Sequence, residues 1–344
     1  MKFDVVIGNP PYQADNHQQI YPAFYLYARD IAQCVELIFP IGWQSPKNAN
    51  NLRLLNNADI KEDAQIVFIN NKHNVFQNIA GAEWTNIIMW IKDYDNGLQG
   101  KQLILTEGTN GVYKHLNYET SQIEKPIEII SLASLVKSFG NFSSFSSITS
   151  ARKPYGLSTD VISNTEKYGL EPLFDSRTNK NDFKIYCKSA EVKYAPFNYR
   201  LPKKTKSISK YKVFVAYAWG NMSEKTGLGG AFSDVIIASP NEICTESYLE
   251  TGCFDDFNTA QKHAKYLMTK FLRALLYLNK FSQHSTTSWD AIPIQTYDEK
   301  WWALSIEEID NHLMDKYKIP QDIKNFVFAN IQTRSEKNII NYKE

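Results

Sequence analysis

The sequence predicts an α/β chain that passes into an α+β region, and three observations carry that expectation. Short apolar runs recur in the first third, at residues 5–7, 34–41, 64–70 and 85–92. Between the first two, residues 21–33 place Phe24, Ala28 and Ile31 at helical spacing. Strands alternating with helical patterns imply a parallel sheet. Beyond a polar, Gly-rich stretch at 93–111, short β-like runs mix irregularly with helices.

The first run reads as a short buried strand that enters Gly8 and then Asn9-Pro10-Pro11-Tyr12. Two prolines forbid a helix and remove two backbone donors. Pro11 also biases Pro10 towards an extended conformation. A stiff loop therefore stands at the carboxyl end of a strand, where α/β sheets bind their ligands. The Asn9 amide oxygen and the Pro10 carbonyl can both accept hydrogen bonds from one amino group. The Tyr12 ring offers a face on which a planar base can stack.

The following elements read in order. Residues 21–33 form a helix, and 34–41 form a strand ending at Gly42-Trp43. Residues 48–57 form a short helix, 64–70 a strand, 74–77 a loop containing Phe76, and 85–92 a further strand. Residues 126–137 read as helical, and the Ser/Phe-rich stretch 138–150 as a loop or edge structure. Strands are expected at 183–187, 212–218 and 235–238. The stripe Leu267, Phe271, Ala274, Leu275 and Leu278 predicts one helix over 266–280. Residues 301–317 predict another, with an acidic outer face. No internal repeat is present.

Composition bounds the function. The length of 344 residues suggests two domains, and 43% apolar content is ample for a core. A net charge of +1 gives no global signal for nucleic acid, so DNA affinity has to come from local patches. The best such patch runs from Arg200 to Lys212 and holds Lys203, Lys204, Lys206 and Lys210 with no acidic residue. Tyr199 and Tyr211 flank it, and its alternative reading is a solvated loop. His284, next to Gln283 and Ser285, is placed either to touch DNA or to sit in a satisfied loop. Cys34, Cys187, Cys244 and Cys253 are scattered without metal-ligand spacing, and read as reduced, mostly buried residues of a cytoplasmic protein. No leader and no membrane span are read in the sequence. No metal site, paired-carboxylate cluster or acidic nuclease pattern stands out.

Asn9-Pro10-Pro11-Tyr12, placed after an apolar strand and Phe3-Asp4, resembles the catalytic loop of adenine-specific DNA methyltransferases of restriction–modification systems. The resemblance implies that Asn9 and the Pro10-Pro11 backbone hold the amino group of an adenine flipped out of the duplex. It further implies that the base stacks on Tyr12, and that S-adenosylmethionine supplies the methyl group. Phe39-Pro40-Ile41-Gly42-Trp43 is similar to the family's Pro-containing strand end. Asn74-Val75-Phe76 with Ala80-Gly81-Ala82 is similar to its aromatic loop, which makes Phe76 the second face of the base pocket. A core Phe between two strands is the alternative. Arg152-Lys153-Pro154-Tyr155-Gly156-Leu157, the stretches 243–248 and 266–273, and 283–295 resemble the family's target-recognition region, so Arg152, Lys153, Lys203, Lys204, Lys206 and His284 become the expected DNA contacts.

The resemblance implies a partial Rossmann-like methyltransferase sheet at 1–110, an α+β target-recognition, DNA-binding domain at 111–295, and a C-terminal helical segment at 296–344. The family's strand–Gly-rich turn–helix unit for S-adenosylmethionine is not legible. Gly227-Leu228-Gly229-Gly230 lacks a preceding apolar strand and a following helix. The expectation is thus a site incomplete for its cofactor, with the missing half supplied by a separate chain or lost, and double-stranded DNA as the partner. A non-catalytic DNA-binding remnant or specificity subunit is the alternative, and a protein-interaction scaffold is a third. A sheet without its first strands is expected to expose an apolar edge.

Overall fold

A computed structural model describes residues 3–14, 18–40, 68–70, 85–91, 101–105, 112–115, 126–218, 234–278 and 289–342. The expected features at 48–57, Phe76, 80–82, 227–230 and His284 lie outside the described residues. The chain is a mixed α/β protein of two units, Met1–Pro126 and Ile127–Glu344. The division falls later than the Gly-rich stretch at 93–111, and residues 296–342 lie in the second unit with 127–278.

In the first unit, strand β1 (Phe3–Gly8) leads through the Pro-Pro loop into helix α1 (Tyr21–Ile31). Pro22 stands in the first turn, where its missing N–H costs nothing. Tyr21, Tyr25 and Ala28 repeat at i, i+4 and i+7 and form the buried stripe. The chain then turns extended at Ala32 and enters β2 (Ala32–Pro40), which pairs parallel to β1 with Val5 opposite Cys34 and Gly8 opposite Leu37. This is the expected strand–helix–strand unit. β3 (Phe68–Asn70) and β4 (Thr85–Ile91) follow, but β4 pairs antiparallel to β2, so the sheet β1-β2-β4 is mixed, not parallel. β5 (Lys101–Leu105) joins β3 in parallel and β6 (Val112–His115) antiparallel.

The expected buried strand at 5–7 is a strand but is not buried. Phe3, Val5 and Ile7 are 50%, 54% and 72% exposed, while Val35 and Leu37 of β2 are buried. β1 lies at the sheet edge, with a neighbour on one side only among the described residues. A run of apolar residues reports strand propensity, but burial needs a neighbouring layer.

The second unit opens with α2 (Ile127–Ser138). The stretch 138–150 contains a 3₁₀ turn, Phe145–Ile148, capped by Ser144. Its chain is held at either end by bridges from Ser144 to Pro293 and from Thr149 to Thr251. β7 (Phe183–Tyr186), β8 (Val192–Ala195), β9 (Tyr211–Ala216), β10 (Val235–Ala238), β11 (Glu242–Cys244) and β12 (Tyr248–Phe254) build two sheets. One has the order β11-β7-β8. The other, β12-β9-β10, is completed by the C-terminal β13 (Ile339–Ile340). β9 and β10 read as continuous apolar runs because both faces are covered. Val213, Val215, Val235 and Ile237 enter the core built by the helices. Phe214, Ile236 and Ala238 enter a second core with Tyr155, Leu157, Ile185 and Ile243. Each buried Val, Ile, Leu or Phe among them contributes on the order of 1.5–3 kcal/mol by leaving water.

The helical layer consists of α3 (Phe257–Met268), α4 (Lys270–Leu278), α5 (Ile306–Lys316) and α6 (Gln321–Asn330). The single helix expected over 266–280 is therefore two helices, broken at Thr269. Thr269 adopts an extended ψ and closes α3. Its hydroxyl donates to the Tyr266 carbonyl at 2.7 Å. Asp310 of α5 accepts the first two N–H groups of α4, from Lys270 and Phe271, both at 2.8 Å. α5 begins at Ile306, later than the expected 301, behind a capping box of Ser305 and Glu308. No helix among the described residues is long and apolar enough to cross a membrane.

Candidate functional site

The Asn9–Tyr12 loop stands where β1 ends, beside the end of the parallel strand β2. Asn9 and Pro11 are exposed, Pro10 is buried and Tyr12 is half-buried. The loop is tied back to α1. The Ile20 N–H donates to the Tyr12 carbonyl at 3.1 Å, and the Ala14 N–H donates to the Gln18 carbonyl at 2.9 Å. The Tyr12 ring meets Tyr21 edge-on at 6.4 Å, at the first residue of α1. Burial pushes the Tyr12 hydroxyl above its ordinary range, with the Asn9 side chain acting in the opposite sense. No hydrogen bond among the described residues occupies the Pro10 carbonyl. The loop thus sets the Asn9 amide, which bonds the Tyr12 hydroxyl, near a Pro10 carbonyl with no hydrogen bond among the described residues and a ring placed against Tyr21. Phe76, expected as the opposite face, lies outside the described residues.

The expected incomplete site for S-adenosylmethionine is set against the described strands alone. β1 enters two prolines, and none of the described strands passes through a Gly-rich turn into a helix. Among the described residues no three His, Cys, Asp or Glu side chains gather to hold a metal ion.

The second unit brings two of the expected DNA-contacting segments together. The turn at 152–157 needs glycine at its corner. Gly156 has a φ of +78°, and a Cβ there would lie 2.7 Å from Pro202 and 3.2 Å from the Lys203 nitrogen. The Lys203 N–H donates to the Tyr155 carbonyl at 3.2 Å, which ties the turn to the basic run. Tyr155 is buried and donates to Glu250, and Ser207 donates to the same carboxylate oxygen at 2.8 Å. Burial, with Glu250 beside it, drives the Tyr155 hydroxyl far above its ordinary value. Arg152, Lys153, Lys203, Lys204 and Lys206 therefore belong to one braced surface.

These cations are not equally available. Arg152 contacts Glu246 at 3.0 Å and lies over the Tyr217 ring at 5.0 Å. Lys153, at a φ of 60°, donates to Ser158 at 2.8 Å and stands 3.5 Å from Glu246. Burial raises Glu246, but the Thr159 N–H, Arg152 and Lys153 outweigh it and hold the carboxyl below its ordinary range. Arg200, Lys203, Lys204 and Lys206 are exposed, and the three lysines have no carboxylate partner among the described residues. The end of the run departs from expectation. Lys210 pairs with Asp255 at 2.9 Å, and Lys212 is buried. Lys212 donates to the carbonyls of Lys210 at 2.8 Å and Ser239 at 2.9 Å, and burial pulls it down to about 8. It ties the turn after β10 to β9 and cannot reach a phosphate.

The aromatic flanks also change. Tyr199 is buried, with its hydroxyl on the Glu171 carbonyl at 2.6 Å, and Tyr211 packs edge-on to Phe257. Phe197, which the sequence reading passed over, is 65% exposed close to Arg200 in the chain. Its signal was Pro196 before it, which lifts the residue into a turn. Of the cysteines, Cys187 and Cys244 are buried, Cys34 is half-buried and Cys253 is exposed, and all four are free.

No family model matches the chain. No curated protein matches it either. Solved structures do. The type IIL restriction-modification enzyme MmeI, solved in complex with DNA, aligns over 95% of this chain and 56% of its own, at 9% identity and a TM-score of 0.49. The type IIG restriction endonuclease BpuSI aligns over 93% of this chain and 50% of its own, at 10% identity and a TM-score of 0.34. The chain spans about half the length of these structures.

Proposed function

We propose that the chain is the catalytic-loop and target-recognition part of an adenine-specific DNA methyltransferase of a restriction–modification system. The observation that carries this reading is the Asn9-Pro10-Pro11-Tyr12 loop at the carboxyl end of a strand in a strand–helix–strand unit, with no hydrogen bond to the Pro10 carbonyl among the described residues. In this reading the adenine is flipped out of the duplex. Asn9 Oδ1 and the Pro10 carbonyl accept the two N–H groups of its exocyclic amine. This draws the amine nitrogen towards a geometry in which its lone pair can attack. Tyr12 holds the base by stacking, and its own ring is set by Tyr21. No general base is required at the loop, so its contribution is orientation. The methyl donor is supplied from outside the residues described, by a further segment or a separate chain.

Duplex DNA is the proposed partner of the second unit. Lys203, Lys204, Lys206 and Arg200 contact phosphates, and Phe197 lies beside them for stacking or wedging. Arg152 and Lys153 are held by Glu246 and position the turn, reaching DNA only where they leave that carboxylate.

A second reading is favoured by the exposed apolar positions of β1: a DNA-binding remnant or specificity subunit without catalysis. The two separate in one assay. The full-length protein is expressed in a host that lacks adenine methylation, and N6-methyladenine in the host DNA is mapped. Methylation at one recurring sequence supports the first reading. DNA binding without N6-methyladenine supports the second.

A further inference from the structure

The helical layer of the second unit contains a cavity of about 360 Å³ that no part of the proposed methyl-transfer site uses. Lys270 and Arg334 supply cations to its wall, Asn311 and Thr333 supply neutral donors, and Met268 and Phe328 supply apolar surface. Arg273 lies behind this wall, one turn of α4 beyond Lys270, and is fully buried. Its Nη1 donates to the Gln332 carbonyl, and its Nε and Nη2 have no hydrogen-bond partner among the described residues. The Nε of Arg334 is also buried without such a partner. Burial, together with the neighbouring Arg334, pulls Arg273 down to about 10.

Three cations thus converge where two carboxylates stand. Asp310 is already committed, since both of its oxygens accept the N–H groups that open α4. Burial pushes Asp310 up to about 7, so near neutrality it is only partly charged. Glu307 is exposed, where solvent screens it. Two adjacent guanidinium groups with open donors and too little negative charge leave donors unmatched, and each unmatched buried donor is costly. An anion with several acceptor oxygens held at Lys270 and Arg334 offsets this excess positive charge, and a guanidinium fork matches phosphate oxygens well. The cavity is larger than a phosphate needs, and Met268, Ile306 and Phe328 give the remainder an apolar wall suited to a base.

We infer that the cavity between α4, α5 and the segment after α6 binds a nucleotide phosphate through Lys270 and Arg334, with Asn311 and Thr333 beside them. The phosphate comes either from a free nucleotide or from a nucleic-acid strand. This site does not depend on the reading of the Asn9 loop, and Asn9→Ala leaves it intact.

The test is calorimetric titration of the full chain with adenosine monophosphate, and separately with inorganic phosphate. Saturable binding is expected for both. Arg334→Gln should weaken it about tenfold or more, the loss expected for one charge-assisted hydrogen bond. Thr333→Glu, an exposed position that should not disturb folding, should weaken it similarly by placing a carboxylate in the wall. Displacement of adenosine monophosphate by a short duplex identifies the phosphate as that of a strand, and failure of displacement identifies a free nucleotide. Absence of saturable binding to the folded wild-type chain, or equal affinity in wild type and Thr333→Glu, overturns the inference.

Discussion

In the proposed methyl transfer Asn9 and Tyr12 have separable jobs, and substitution should separate them. Asn9 is exposed and packs little, so Asn9→Ala should leave folding untouched and remove the acceptor that aligns the amine. Tyr12→Ala should weaken methyl transfer by the loss of base stacking, worth about 1–3 kcal/mol per base. The loss should be smaller on a mismatched target, where extrusion costs less. Methylation rates on matched and mismatched duplexes check this, and an equal loss on both would remove Tyr12 from the base pocket. His263 gives a residue-scale prediction for stability. It is fully buried between Tyr297, at 2.7 Å, and Thr251, at 3.3 Å, and burial pulls it down to about 3. The unfolded chain therefore takes up a proton below its ordinary pKa of 6.5, while the folded chain does not. Stability contributed by neutral His263 is present above pH 6.5 and falls as pH drops towards 3, by about 2 kcal/mol at pH 5. Urea midpoints of wild type and His263→Gln, measured between pH 7 and pH 5, should converge as pH falls. Parallel curves would show that His263 does not titrate in this range.

At the scale of elements, the caps decide where helices begin. Ser305 and Glu308 form a capping box, and Ser305→Ala should cost about 1 kcal/mol. Asp310→Ala should cost more than Ser305→Ala, because it strips two N–H groups of α4 and removes the acid beside Arg273. Chemical denaturation of the two variants orders them, and an equal cost would show that the α3–α4 break stands without its cap. The same two caps show what could be read in advance. Ser-x-x-Glu is written in four consecutive residues, so a helix near 301–317 was legible, with its start displaced by the 3₁₀ turn Lys300–Ala303. The break at Thr269 was not legible. Its cap comes from Asp310, forty residues on, and the apolar stripe runs through the break unchanged. Lys212 was misread for a similar reason. A lysine among lysines looks solvated, and only the turn after β10 and the carbonyls at Lys210 and Ser239 make it structural. A strand ending in the Pro-Pro segment was legible because the apolar run and the two prolines adjoin in the chain. The burial read for Phe3, Val5 and Ile7 fails because burial depends on what lies against the strand, and the exposed apolar edge expected of a sheet without its first strands is what β1 shows among the described residues.

For the whole molecule, net charge near zero confines the proposed DNA binding to a small surface. Of the cations in the 200–212 run, Lys203, Lys204 and Lys206 remain free to meet phosphates. The triple change to Gln should weaken binding to all sequences alike and reduce the salt slope by up to about three phosphate contacts. An unchanged slope would reduce the run to a solvated loop. The turn at Gly156 holds this surface to Arg152 and Lys153, and Gly156→Ala should loosen it together with the fold. The measurement that tests the central claim most directly sets methyl transfer beside DNA affinity. Wild type and Asn9→Ala are compared, each as the full-length protein with whatever polypeptide completes its cofactor site, for N6-methyladenine formation and for duplex binding at one salt concentration. The account predicts that Asn9→Ala abolishes transfer and binds DNA within about twofold of wild type, since hydrogen bonds to one amine hold little of the duplex. Full methylation by Asn9→Ala would contradict it.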